Sequence, residues 1–77
     1  MKRWVITYFD VEKEAGGLLS GKGYRTREEA IRWVLRFLKR DWDYSREELK
    51  EVEKELKKNN STSIGEVIFV LIEPIII

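Results

Sequence analysis

The 77-residue chain has no cysteine, no histidine and no glutamine; Met1 is its only methionine and Pro74 its only proline. Without cysteine there is no disulfide and no thiolate nucleophile. Without cysteine and histidine together, the usual zinc sites and imidazole acid–base catalysis go as well. Domains of this size commonly lean on disulfides, a structural metal or a partner subunit, because one small core contributes little, so the third support gains weight here. No apolar run reaches about 18 residues. The start Met1-Lys2-Arg3-Trp4 leads into alternation, not into the apolar core of a signal peptide. These absences predict a cytoplasmic protein outside the membrane and the secretory route, with no cofactor.

What is present is 43% hydrophobic and 38% charged, with 15 Lys and Arg against 14 Asp and Glu. That is too apolar for a disordered tail and too short for a doubly wound nucleotide-binding fold, so residues 1–77 read as one small domain. Abundant Lys, Glu and Arg with few heat-labile residues is the composition of thermostable proteins, and equally of designed ones.

Residues 3–11 alternate as a strand, with Trp4, Ile6 and Tyr8 on one side and Val5, Thr7, Phe9 and Val11 on the other. A polar stretch ending in Gly16-Gly17 predicts a hairpin turn, and residues 18–25 return as a weaker edge strand, completing a β-hairpin over 1–25. Thr26-Arg27-Glu28-Glu29 and Ser45-Arg46-Glu47-Glu48 each carry a capping box and open two helices joined by a short link, a helical hairpin over 26–58. The first helix has apolar residues over roughly 200°, twice the ~100° stripe of an ordinary surface helix, and needs cover on more than one side. The second has a thin stripe, Leu49, Val52 and Leu56, among paired charges. Residues 59–63 read as a loop. The final strand falls at 65–73, where six apolar residues between Glu66 and Glu73 predict burial on both faces; Pro74 ends the pairing and residues 74–77 form an apolar tail. The fold class is α+β: a small antiparallel sheet in β-β-α-α-β order with an αα-hairpin packed on one face.

A helical hairpin covers one face of such a sheet, and the chain supplies nothing else for the reverse. A second subunit or another protein is the expected cover, the competing reading being helices that straddle the sheet. The candidate interface residues are Trp4, Tyr8, Val67, Phe69, Val70, Leu71, Ile75, Ile76 and Ile77.

Other motifs read as ordinary structure. Residues 16–23 approach the phosphate loop G-x-x-x-x-G-K-[ST], but Gly23 stands where the metal-binding hydroxyl belongs and no helix starts at Lys22. Asp41-Trp42-Asp43 offers two carboxylates, far short of a calcium loop, so no metal site is assigned. No serine has a histidine to activate it, which argues against an enzyme.

Charge is unevenly spread. Residues 1–40 hold ten basic and five acidic side chains, and residues 41–77 hold five and nine. Arg32, Arg36 and Arg40 form a stripe at i, i+4 and i+8, where like charges repel unless something offsets them. Phosphates would do so with help from Lys22 and Arg25, making a nucleic-acid-binding module the alternative; neutralisation by the acidic second helix is the plainer account.

The segment Gly23-Tyr24-Arg25-Thr26-Arg27-Glu28-Glu29-Ala30 resembles the strand-to-helix junction G-[FY]-x-T-x-E-E-A of HicB-like antitoxins and of the arm-type DNA-binding domains of tyrosine recombinases. The likeness covers eight residues, and those families place a third strand before the helix where this chain places two helices before its own. It carries no membership. The leading reading is a non-enzymatic interaction protein that forms a homodimer or docks on a protein partner, in the manner of the inhibitors and antitoxin-like proteins of viruses and mobile elements, with no small-molecule substrate.

Overall fold

The computed structural model describes residues 1–76. In chain order these form β1 (Lys2–Asp10), β2 (Ala15–Leu18), α1 (Arg27–Asp41), α2 (Arg46–Asn59), β3 (Ser61–Ile64) and β4 (Ile68–Ile76). The four strands make one antiparallel sheet in the order β2-β1-β4-β3, and both helices lie on the same side of it. The α+β class and the one-sided helical hairpin are as the sequence predicts.

The central pair is β1 with β4, in register over nine residues from Lys2 opposite Ile76 to Asp10 opposite Ile68. Alternation then sorts the side chains. Ile6, Val70 and Ile72 turn toward the helices and are almost wholly buried, with Thr62 and Ile64 of β3 beside them. α1 lies over β1 and β4 and contributes Ala30, Ile31, Val34 and Leu38; α2 reaches β3 and contributes Val52 and Leu56. Each fully buried aliphatic side chain is worth about 1.5–3 kcal/mol relative to exposure, so this single layer dominates the stability.

The helix starts follow their capping residues. Ser45 accepts from the Glu48 amide while Glu48 returns a carboxylate to the Ser45 amide, completing the box. Thr26 accepts from the Glu29 amide. α2 stops at Asn60, which takes the left-handed conformation (φ 60°) and donates its amide to the Leu56 carbonyl.

Four expectations are corrected. Residues 61–64 are an edge strand rather than a loop: Thr62 and Ile64 point inward and Ser61 and Ser63 outward, a two-residue period carried by side chains of weak strand signal. The order is therefore β-β-α-α-β-β. The first hairpin turns earlier than its glycines suggest. Residues 11–14 make the turn, with Glu14 in the left-handed region (φ 51°) and the Asp10 carboxylate accepting the Lys13 amide, so Gly16 and Gly17 lie inside β2. Residues 20–23 then loop out before Tyr24 rejoins β1 through paired backbone bonds with Trp4. Pro74 does not end the last strand, for reasons of hydrogen-bond parity. Trp4 spends its amide and carbonyl on Tyr24, so Trp4 and Pro74 face each other as a pair without mutual backbone bonds. The N–H that proline lacks would have pointed to the outer edge of β4, beyond the end of β3, where no strand needs it. Finally, the last strand is buried on one face only.

Candidate interaction face

The side of the sheet away from the helices carries Arg3, Val5, Thr7 and Phe9 from β1 and Phe69, Leu71, Glu73 and Ile75 from β4. The register lays them in rows. Phe9 stands opposite Phe69, flanked by Gly16 and Ser63; Thr7 stands opposite Leu71, flanked by Leu18 and Ser61; then come Val5 with Glu73 and Arg3 with Ile75. Among the described residues no helix lies over these rows, and the loop at Gly23 passes beside Arg3. Phe9 is 48% exposed and Phe69 51%, with Leu18, Leu71 and Ile75 also exposed, although all five belong to residue types usually buried.

Local chemistry explains how such a surface is held flat. A Cβ at Gly16 would fall 2.4 Å from the Tyr8 carbonyl oxygen and 3.1 Å from Phe9 Cδ2, so the absent side chain lets β2 close on β1 and leaves room for the Phe9 ring above it. Thr7 Oγ1 lies 3.5 Å from Glu73 Oε1 and the same distance from the Leu71 carbonyl, keeping the carboxylate over the sheet. Arg3 and Glu73 are the only ionised side chains among the residues of these rows.

The nine interface candidates divide. Phe69, Leu71 and Ile75 lie on the open face. Val70 is wholly buried beneath the helices, and Trp4 and Tyr8 share its side, half-buried. Val67 sits in the turn before β4, its carbonyl accepting the Val11 amide. Ile76 is exposed at the end of β4 on the helix side, and Ile77 lies outside the described residues. Tyr24 is buried and shares a 2.9 Å hydroxyl–hydroxyl bond with Ser20. Sequence reasoning missed Phe9, Leu18 and Arg3. The β1 alternation already placed Phe9 opposite Ile6; what was lacking was which side the helices take.

The basic candidates differ in their surroundings. Arg40 is held 3.2 Å from Asp41 by two parallel bonds, and that hydrogen bonding raises the guanidinium's affinity for its proton. Arg32 lines an open groove between the helices together with Glu28, Ile31, Glu53 and Lys57, so carboxylates sit on both sides of it. Arg36 is exposed on α1, and Lys22 and Arg25 are exposed before it. No ion pair joins α1 to α2 among the described residues. Away from both surfaces, burial first and Glu48 second push the Tyr44 phenol up.

No group of acidic side chains among the described residues is placed to hold a metal ion, and no helix is long and apolar enough to cross a membrane. Comparison with family models, with curated proteins and with solved structures finds no match for the chain.

Proposed function

We propose that the chain is a small protein-interaction module of the cytoplasm, acting by docking through the open face of its sheet and not by catalysis. The observation that carries this reading is the Phe9–Phe69 row with Leu18, Leu71 and Ile75 around it: large apolar side chains gathered on one exposed surface. At about 3.3 Å per residue and 4.8 Å between strands, two nine-residue and two four-residue strands present a flat projection of roughly 400 Å². The exposed Phe, Leu and Ile side chains occupy part of that surface, and the largest apolar patch of a monomer is often its functional one. Inhibitors and antitoxin-like proteins, which act by occupying another surface, are the functional class that such a module fits.

The test is a contrast of variants across a salt series. Docking driven by apolar burial persists at high salt, is lost in Phe69→Asp and is kept in Arg36→Glu. A nucleic-acid-binding module would behave in the opposite way: an oligonucleotide would bind, the affinity would fall steeply with salt, and Arg36→Glu would remove it. That result would replace the present reading.

A further inference from the structure

The occupant of the open face can be named from the face itself. Resting on the docking reading above, we infer that it is a second copy of this chain, packed sheet to sheet about a two-fold axis along the seam between β1 and β4.

Charge argues for a copy. The rows hold one base, Arg3, and one acid, Glu73, so the face has no net sign with which to select an acidic or a basic partner, yet it complements itself. An axis along the seam sets β1 of one copy over β4 of the other at the same height. Phe9 then meets the second copy's Phe69, Val5 meets its Glu73, and Arg3 lies one row away from that same Glu73. By symmetry the contact occurs twice. An axis across the strands instead places each Glu73 over the other copy's Leu71, with no base of that copy in reach and only the Arg3 of its own chain one row away. The charges therefore choose the orientation as well as the partner.

Area and edges agree. Two faces of roughly 400 Å² flat projection remove about 800 Å² before side-chain relief is counted, the size of a small, weak interface (below ~1,200 Å²). Strand addition along the stretch of β4 beyond β3 meets Pro74, which has no N–H to offer there, and the edge strands β2 and β3 are only four residues long. Face packing with strands within about 30° of each other is the ordinary geometry of a β-sandwich.

The experiment uses the full chain, with charge reversals at the two residues. Sedimentation equilibrium of the wild type gives a dimer. Arg3→Glu alone and Glu73→Lys alone each weaken it by roughly 10- to 100-fold, since each creates two like-charge contacts. An equimolar mixture of the two variants restores it. In the mixed dimer the introduced carboxylate of one chain faces the introduced ammonium of the other at one contact, and the other contact keeps the original Arg3 with Glu73. An intramolecular effect would show no such rescue. Failure of the mixture to recover overturns the inferred packing. A second measurement separates this inference from the docking reading: p-benzoylphenylalanine in place of Phe69, irradiated in purified chain and in a whole lysate. An adduct of twice the chain mass in both supports the second copy. A monomeric purified chain with a heavier, unequal adduct in the lysate overturns the second copy and leaves docking standing. No adduct in either overturns both.

Discussion

Arg27, the first residue of α1, donates its Nε–H to the side-chain oxygen of Asn60, the residue that caps the end of α2. The same guanidinium donates to the carbonyls of Leu56 and Lys57. One cation thus reaches the Lys57 carbonyl, adds a second donor to the Leu56 carbonyl that Asn60 already caps, and ties the start of one helix to the negative end of the next. Arg27→Ala is expected to cost about 1–3 kcal/mol in urea unfolding with an unchanged slope. Arg27→Lys recovers only part of that, because an ammonium cannot spread its donors over three acceptors as the planar fork does.

Gly16 is fixed by space and not by backbone angle. Any side chain there meets the Tyr8 carbonyl at 2.4 Å, so Gly16→Ala must push β2 away from β1 and is expected to destabilise by about 1–3 kcal/mol. Gly21→Ala is the control, since no atom lies within 4 Å of the added methyl, and its effect is within about 0.5 kcal/mol. Equal effects in thermal unfolding would show that the strand contact does not matter.

Ser20 and Tyr24 carry a buried hydroxyl pair in the segment that returns to β1. Ser20→Ala leaves the Tyr24 hydroxyl without its partner and costs about 1–2 kcal/mol, whereas adding Tyr24→Phe removes the orphan and costs little more. A double-mutant cycle therefore gives a coupling of about 1 kcal/mol. Simple additivity would mean that water takes over the bond.

How far the sequence reveals these features follows from where its signals are local. The helices are legible because Thr26 and Ser45 cap within four residues, although only Ser45 and Glu48 complete the reciprocal box. The broad apolar arc of α1, by contrast, does not by itself single out Ala30, Ile31, Val34 and Leu38 as its buried side. β3 was hidden because Ser61 and Ser63 look like loop residues until β4 lies beside them, and pairing with β4 is a long-range event. The apolar run at residues 67–72 reads as buried on both faces because periodicity reports hydrophobicity and not cover. Phe69 and Leu71 are as apolar as Val70 and Ile72, and only the placement of the helices separates them. Trp4 and Tyr8 stand among the interface candidates, yet they follow Ile6 in parity and go with it to the helix side.

That separation is testable in the folded chain. Val70→Asp buries a carboxylate among Ile6, Val34 and Leu38 without a base and is expected to unfold the domain, read as loss of the cooperative transition. Phe69→Asp, one residue earlier on the same strand, stays folded with a cost of about 1 kcal/mol within the chain, because its side chain is half exposed on the face away from the helices. Reversed outcomes would mean that the helices cover the other face.

Pro74 supplies the last prediction. Beyond β3 the outer edge of β4 is bare, and a bare edge recruits strands from other molecules unless something blocks it. Proline does so at the one parity where it costs β1 no hydrogen bond, since Trp4 already spends its own groups on Tyr24. Pro74→Val restores an N–H to that edge and favours the extended conformation. Its unfolding free energy is expected to change by less than about 1 kcal/mol, while light scattering at raised protein concentration shows particles larger than those of the wild type, through one new edge contact per chain. Phe69→Asp combined with Pro74→Val should still associate more than Phe69→Asp alone, edge contacts being independent of the open face. No difference between those two variants would place the new contacts on the face and remove the blocking role from Pro74.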